Sequence, residues 1–188
     1  MTSQEYLEIE REAEFRSEYV DGRAYAIPPN SRNHSWVISN TLGTLGEQLR
    51  GKLCGASSSD MQLYSAEFDI YTYPDIFVTC QPEKFLDNHK DTIPDAVVVM
   101  EVLSPPTKNY DRGEKFRFYR SLPSCAEYLI LAQDAIRAEH HGKQANGLWL
   151  FHEYRSPEDE LDLASIGCRL VLGRLYERVE FGSGIGLL

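Results

Sequence analysis

The chain lacks the cysteine and histidine patterns that build a zinc centre or a disulfide scaffold. Its four cysteines, Cys54, Cys80, Cys125 and Cys168, are scattered, form no C-x-x-C pair and have no histidine at a zinc-ligand spacing. Structural zinc sites need ligands at short, regular spacings, and disulfide scaffolds concentrate many cysteines in a short chain. We therefore expect neither a zinc site nor a disulfide framework.

Long apolar runs are also absent. No stretch approaches the roughly 20 apolar residues that a membrane-spanning helix needs. The first residues lack the basic start and the apolar body of a secretory signal. We therefore expect no membrane association and a cytoplasmic location.

Positive charge is scarce. The 19 Lys and Arg residues face 29 Asp and Glu residues, which gives a formal net charge of −10. Because basic side chains that neutralise phosphates dominate nucleic-acid affinity, this balance argues against broad electrostatic binding to nucleic acid. A nucleic-acid enzyme would need acidic residues kept away from a local basic groove, or a divalent metal that neutralises part of the charge.

What the chain does contain is typical of one globular domain. It has 188 residues, of which 42% are hydrophobic and 26% are charged. No internal repeat or low-complexity linker divides it, so residues 1–188 are predicted to form a single domain. Within it we expect an N-terminal helix and hairpin over 1–30, a core over 31–142, and C-terminal strands with a short helix over 143–188.

One apolar run stands out because it contains a carboxylate. Residues 97–104 read Val-Val-Val-Met-Glu-Val-Leu-Ser and lie between prolines, which is typical of a strand covered on both faces. Glu101 lies inside this run, and a buried carboxylate costs several kcal/mol unless a cation, a metal or a proton pairs with it. Glu101 therefore predicts either a structural ion pair with Arg112 or Lys115, or a functional site that also needs a second carboxylate.

Asp75 is the candidate second carboxylate. The pattern predicts a strand over 68–78 that is irregular at Pro74, because proline has no N–H to donate to a neighbouring strand. Irregular points of this kind often re-aim side chains next to active sites. Asp75 directly follows this point.

Two helices are expected to flank these strands. Asp111 and Glu114 have the spacing of a capping box, which predicts a helix over 111–120 with Lys115 one turn into it. Apolar residues at three- and four-residue steps predict a second helix over 33–50. The predicted fold class is α/β of the mixed α+β kind, with a central mixed sheet flanked by these helices.

Asp75, Glu101 and Lys115 fit one kind of chemistry. Two carboxylates that converge from neighbouring strands provide the hard oxygen ligands that Mg²⁺ or Mn²⁺ prefers. Such a metal lowers the pKa of a bound water, and an ammonium group nearby can orient that water or offset charge that builds on phosphorus. These residue types therefore indicate a phosphodiester hydrolase.

The motifs that carry these residues also occur together in a known family. They are Tyr73-Pro74-Asp75, Glu101-Val102-Leu103-Ser104-Pro105 and Asp111-Arg112-Gly113-Glu114-Lys115, followed by Tyr119. With them the chain resembles the Uma-type restriction-endonuclease-like family of bacteria, a domain of unknown function in the PD-(D/E)xK nuclease superfamily. The resemblance extends over most of the chain, including Tyr19-Val20-Asp21-Gly22, Ser59-Asp60 and the strand near Trp149. It implies a restriction-endonuclease-like fold with Asp75 and Glu101 as the metal ligands.

The chain departs from the superfamily motif at one position. The motif places a lysine two residues after the glutamate, where this chain has Leu103. Either the lysine has moved to the following helix as Lys115, as the family pattern implies, or the chemistry has been lost; Lys108 is a weaker substitute. Glu18 or Asp60 could add a third acid, although each also fits a hairpin or strand-end residue.

The resemblance implies an endonuclease that uses Mg²⁺ or Mn²⁺ to hydrolyse phosphodiester bonds in DNA, with Lys115 assisting the attacking water. It is compatible with a homodimer, because restriction-type enzymes often cut both strands as pairs. The alternative is an inactive nuclease fold that serves as a binding or assembly module, which the acidic charge and Leu103 favour. RNA also stays open as a substrate, because no stacking motif or basic stripe distinguishes the two nucleic acids.

Overall fold

Two sheets and the helices that pack against them decide where the functional side chains lie. The structure is a computed structural model that describes residues 1–58, 60–104 and 110–182. The helical segments are α1 (Ser3–Glu12), α2 (Arg32–Leu49), a π-helical segment (Asp111–Lys115) that continues as α3 (Phe116–Tyr119), and α4 (Leu172–Leu175).

The N-terminal part follows the local sequence signals closely. Helix α1 begins after Thr2, where the side chain of Thr2 and that of Glu5 form a capping box. A hairpin follows, and its two turn residues, Asp21 and Gly22, both have positive φ. Two-residue turns with positive φ at both positions match the twist of paired strands, which is why an Asp-Gly pair predicts a hairpin.

The hairpin belongs to a five-stranded sheet that contains strands from the middle of the chain. Its strands run in the order β2-β1-β5-β4-β7, where only the β4–β7 pair is parallel. They are β1 (Ser17–Val20), β2 (Arg23–Ala26), β4 (Gln62–Ser65), β5 (Ile70–Thr72) and β7 (Thr92–Ile93).

The predicted central mixed sheet is confirmed as a six-stranded sheet in the order β11-β10-β9-β8-β6-β3. Strands β8 and β9 are parallel and the other neighbours are antiparallel. The strands are β3 (Cys54–Ser58), β6 (Ile76–Cys80), β8 (Val98–Leu103), β9 (Glu127–Ala132), β10 (Ala138–Lys143) and β11 (Trp149–Tyr154). A separate hairpin joins β12 (Glu160–Leu163) to β13 (Cys168–Val171).

Strand β8 is buried on both faces, as its unbroken apolar sequence predicts. One face, with Met100 and Val102, packs in a core that includes Val37 of α2. The other face, with Val99 and Leu103, packs in a second core that includes Tyr119 of α3. The helices therefore flank the sheet on opposite sides, and Glu101 shares the face of the second core because side chains alternate along a strand.

Several local predictions need correction. The strand predicted over 68–78 is two strands, because the chain leaves the five-stranded sheet after β5 and enters the six-stranded sheet at β6. Pro74 lies in the link, where its missing N–H breaks no ladder. The short C-terminal helix expected within 143–188 is α4, and β13 occupies the residues directly before it.

Although no disulfide framework was expected, the structure contains one disulfide that the sequence reasoning did not identify. Cys54 of β3 and Cys80 of β6 face each other across the antiparallel pair, with Cα atoms 3.9 Å apart, and form a disulfide. Strand β3 was not predicted, and strand register is what brings the two cysteines together. Cys125 and Cys168 are free and buried.

In the ranges that the structure covers, none of the helices has both the length and the apolar content that crossing a bilayer requires.

Candidate active site

Asp75 and Glu101 meet because of the pairing between β6 and β8. Ile76 lies opposite Met100 in this antiparallel pair, so the residues just beyond them are neighbours. The N–H of Val102 donates to Oδ2 of Asp75 at 2.7 Å. The N–H of Asp75 donates to Oε2 of Glu101 at a longer distance of 3.4 Å. The two carboxylates thus lie side by side at the junction of the two strands.

Lys115 reaches the same point from the π-helical segment. Its Nζ lies 3.0 Å from Oε1 of Glu101 and 3.0 Å from Oε1 of Glu18, and Lys115 is buried with only 7% of its surface exposed. The structure therefore brings together Asp75, Glu101 and Lys115, which the sequence predicted to converge. Leu103, at the position of the superfamily lysine, is buried in the second apolar core.

The two candidates for a third acid, Glu18 and Asp60, lie in different surroundings. Glu18 of β1 is buried, pairs with Lys115 and accepts a hydrogen bond from the N–H of Tyr73 at 3.1 Å. Asp60 is exposed and pairs with Arg16. Glu18 is therefore part of the cluster and Asp60 is not; Lys108 lies outside the described residues.

Two residues of the helix after β8 complete the cluster. Tyr119 donates its O–H to Oε1 of Glu101 at 2.7 Å. Oδ1 of Asp111 lies 3.8 Å from Nζ of Lys115. The predicted capping box at Asp111 and Glu114 is wrong, because Tyr110 and Asp111 already have helical backbone and Asp111 therefore does not begin the helix. Asp111 is buried beside Lys115 instead.

Burial and charge set the protonation of these groups. Burial opposes the charge on Lys115, but Glu101 and Glu18 outweigh it and raise the pKa of this ammonium well above its usual value. Burial is also the main cause that raises the pKa of Glu101, against the opposing effect of Lys115 and with help from Asp75. Burial likewise raises the pKa of Tyr119. Lys115 and Tyr119 are therefore proton-carrying donors and not bases.

Sequence reasoning missed His34, whose ring contacts the carboxylate of Asp75. Its Nε2 lies 3.2 Å from Oδ2 of Asp75, and the residue is only 4% exposed. Its Nδ1 is buried and has no hydrogen-bond partner among the residues that the structure describes. Nε2 of the ring therefore faces Asp75, and an N–H at this nitrogen can donate to Oδ2.

A signal for His34 was present in the sequence. The buried positions of α2 are His34, Val37, Thr41, Leu45 and Leu49, so the histidine begins the face that packs on the core. A polar ring at the first position of an apolar helix face is a candidate for a buried hydrogen bond.

The cluster forms the floor of a cavity of about 470 Å³. Glu18, His34, Asp75, Glu101, Asp111 and Lys115 line this floor. A wall of the same cavity comes from the β1–β2 hairpin and the segment after it, and it is mainly apolar. The site therefore combines buried carboxylates with an apolar surface.

The oxygen-rich floor fits a hard divalent cation. Four carboxylates face one lysine here, so an added cation would offset buried negative charge. Over residues 1–58, 60–104 and 110–182, no three His, Cys, Asp or Glu side chains are arranged to hold a metal ion. Mg²⁺, however, is commonly held by one or two carboxylates together with water and substrate phosphate. Asp75 and Glu101 are the pair that fits this mode.

Comparison with known proteins identifies similar sequences across most of the chain. The model of the Uma2 family, described as "Putative restriction endonuclease", matches residues 3–172. Two similar proteins are from Synechocystis sp. (strain ATCC 27184 / PCC 6803 / Kazusa). Uncharacterized protein slr1290 is 36% identical over 182 residues, which cover 96% of this chain and 94% of that protein. Uncharacterized protein sll1609 is 32% identical over 164 residues, which cover 87% and 93%.

A solved structure has the same fold. It is described as a putative nuclease belonging to DUF820 from Anabaena variabilis, and it matches with a TM-score of 0.79 at 15% identity. The match covers 96% of this chain and 99% of that one. The similarity therefore extends over the whole arrangement of sheets and helices.

Proposed function

Because the chain belongs to the Uma2 family, which is described as putative restriction endonucleases, we propose that it is a metal-dependent endonuclease that hydrolyses phosphodiester bonds in DNA. The observation that carries the proposal is the meeting of Asp75, Glu101 and Lys115 on the floor of one cavity. Residues of these types, buried together next to open space, fit hydrolysis of a phosphodiester.

The residues of the floor would divide the work as follows. Asp75 and Glu101 would hold Mg²⁺ or Mn²⁺, which supplies a more acidic bound water and neutralises charge on the phosphate. Lys115 keeps its proton, donates to Oε1 of Glu101 and forms an ion pair with Glu18. A remaining N–H of its ammonium can donate to the attacking water or to a phosphate oxygen as negative charge builds there. Tyr119 fixes the orientation of Glu101 through its hydrogen bond.

Substitution of the two acids tests the proposal. We expect Asp75→Asn and Glu101→Gln each to lower cleavage of DNA in Mn²⁺ or Mg²⁺ by at least about 100-fold, because each removes a negative ligand but keeps the side-chain shape. Asp60→Asn is the matched control, since Asp60 is an exposed acid outside the cavity. Circular dichroism and thermal melting check that the variants fold. Wild-type cleavage by either Asp75→Asn or Glu101→Gln contradicts the proposal.

One observation favours a second candidate, an inactive nuclease fold that serves as a binding or assembly module. Lys115 is already shared between Glu101 and Glu18, so the cluster forms an ion-pair network without a metal. Titration calorimetry separates the two candidates. An enzyme should give heat on addition of Mn²⁺ that disappears in Glu101→Gln, whereas a structural ion-pair network should give no such heat.

The proposed partner is DNA, and the proposed assembly is a homodimer that could cut both strands. Light scattering after size exclusion measures the mass of the assembly, and a mass of one chain with and without DNA contradicts the dimer. A matched RNA substrate in the cleavage assay decides between the two nucleic acids.

A further inference from the structure

The apolar wall of the cavity has no role in holding a metal or activating water. It comes from one face of the β1–β2 hairpin and from the residues after it. Glu18 and Tyr25 are direct partners in the hairpin, so their side chains lie on the same face. Glu18 points to the floor, and Val20 and Tyr25 line the cavity beside it. Tyr19, which alternates with them, is buried in a separate aromatic cluster.

The aromatic and amide side chains of the wall are exposed and have no partner among the described residues. Tyr25 and Ile27 keep 50% and 37% of their surface exposed. Tyr25 makes no side-chain hydrogen bond or ring contact with any residue that the structure describes, and the Asn30 amide, which also lines the cavity, has no hydrogen bond within those residues. The surface therefore offers a free aromatic ring and a free amide next to the acidic floor.

The charges of the cavity limit what can bind there. Among the described residues that line it, Lys115 is the only lysine or arginine, and two carboxylates already pair with it. Phosphate contacts to basic groups, which hold most proteins on duplex DNA, are therefore few at this site. Stacking on an aromatic ring does not depend on basic side chains and accepts any base.

The size of the cavity also favours a single nucleotide over a duplex. Its volume of about 470 Å³ lies in the range of pockets that enclose a small molecule, roughly 300–1,000 Å³. A paired and stacked duplex is too wide to enter such a space, whereas one unpaired nucleotide can.

On the basis of the proposed nuclease function, we propose that this wall binds one unstacked nucleobase of a single-stranded or locally opened nucleic acid. The base stacks on Tyr25 against the apolar side chain of Ile27, and the amide of Asn30 can pair with the edge of the base. The adjoining phosphodiester then lies over Asp75 and Glu101. The substrate class is therefore nucleic acid with at least one unpaired base, and not an intact duplex.

Fluorescence of 2-aminopurine tests the inference without relying on cleavage. A short single-stranded DNA with one 2-aminopurine, and the same strand in a blunt duplex, are titrated with the full chain in Ca²⁺, which serves as a hard cation at the acidic floor. We expect the single strand to bind at least about tenfold more tightly than the duplex. Tyr25→Ala should weaken single-strand binding by about tenfold or more, whereas Tyr25→Phe, which keeps an aromatic ring, should bind the single strand as the wild type does.

Phe151→Ala is the control, because Phe151 is an aromatic residue of similar exposure on β11, outside the cavity lining. It should bind the single strand as the wild type does. Equal affinity for the two DNAs, or wild-type affinity in Tyr25→Ala, overturns the inference, and so does a wild-type chain that binds neither DNA. The proposed function has its own test, in which the same proteins and strands are incubated with Mn²⁺ in place of Ca²⁺. If Mn²⁺ supports cleavage but Tyr25→Ala does not weaken binding of the single strand, only the base site fails. If the wild type binds the single strand through Tyr25 but cuts no strand, only the nuclease proposal fails.

Discussion

Nζ of Lys115 lies 3.0 Å from Oε1 of Glu101, although 14 residues separate them in the sequence. The superfamily motif would place this lysine on the same strand as the glutamate, at the position of Leu103. Here the helix after β8 provides the ammonium, and its π-helical backbone at Asp111–Lys115 carries both Asp111 and Lys115 into the cluster. The ammonium of Lys115 therefore lies beside Glu101, although position 103 does not hold the lysine of the motif.

Removal of the ammonium tests how much the cluster depends on it. We expect Lys115→Met to lower the free energy of unfolding by about 3–5 kcal/mol, because buried carboxylates lose their partner. We also expect Mn²⁺ to raise the melting temperature of this variant more than that of the wild type, since an added cation replaces the missing charge. Thermal melting with and without Mn²⁺ measures both effects.

Arg117→Met is the control for Lys115→Met, because Arg117 is exposed on the same helix and lies over the ring of Phe68. Its stability should change little, and Mn²⁺ should affect it as it affects the wild type. An unchanged melting temperature in Lys115→Met would show that the pairs with Glu18 and Glu101 contribute nothing to folding. An equal effect of Mn²⁺ on all three proteins would argue against a cation at this floor.

His34 should act as a positioning residue for Asp75. Its Nε2 and the N–H of Val102 both lie against Oδ2, which leaves Oδ1 of Asp75 to face a cation. We expect His34→Leu to weaken Mn²⁺ binding about 10- to 100-fold, as loss of a partner behind a metal ligand commonly does. His34→Gln, which keeps an N–H donor, should stay within about threefold of the wild type. Calorimetry measures both, and identical weakening in Leu and Gln would assign His34 a packing role only.

The parts of the site that could be predicted from sequence are those that local pattern decides. The unbroken apolar run around Glu101 predicts a strand buried on both faces, and Pro74 predicts the irregular point that leads to Asp75. Lys115 follows from helix spacing and from the family resemblance. These residues needed no knowledge of how distant strands pair.

The remaining parts depend on tertiary register. Glu18 faces Lys115 only because the N-terminal hairpin pairs with β5, a contact that Tyr19 and Tyr71 make across 52 residues of chain. His34 reaches Asp75 because α2 packs on the face of β8 that holds Met100. In the sequence, Glu18 and Asp60 were equivalent candidates, and only the fold distinguishes them.

A buried acid away from the cavity gives a prediction for pH. Burial disfavours the charge on Glu127, but the hydrogen bonds from His140 and Ser165 outweigh it, so the pKa of Glu127 is lowered from its usual 4.5. The folded state therefore favours the ionised form. The resulting stability is fully present above pH 4.5 and is lost as the pH falls below 4.5 through the lower pKa of the folded state.

Glu127→Gln isolates this contribution. We expect the variant to be less stable than the wild type at pH 7, and the difference in unfolding free energy to shrink as the pH falls below about 4.5. Urea unfolding at about pH 7, 5, 4 and 3.5 measures it. Glu114→Gln, an exposed acid whose side chain is outside the cavity lining, should show no such convergence. A difference for Glu127→Gln that stays constant over this pH range would contradict the assignment.

Moving the lysine back to β8 tests whether Lys115 replaces the residue that the motif expects. Leu103→Lys alone should lower the free energy of unfolding by on the order of 3 kcal/mol, because a second ammonium enters an apolar core. Lys115→Leu alone should lower the free energy of unfolding by a similar amount.

In the double variant, the introduced lysine side chain would lie on the same face of β8 as Glu101. The two residues are two positions apart, about 6.6 Å along the strand, which is within reach of the four-carbon stem of lysine. We therefore expect the double variant to be more stable than the sum of the single changes by at least about 1 kcal/mol, measured as a double-mutant cycle in urea. Strict additivity would mean that Glu101 accepts an ammonium only from the helix, and that the two lysine positions are not equivalent.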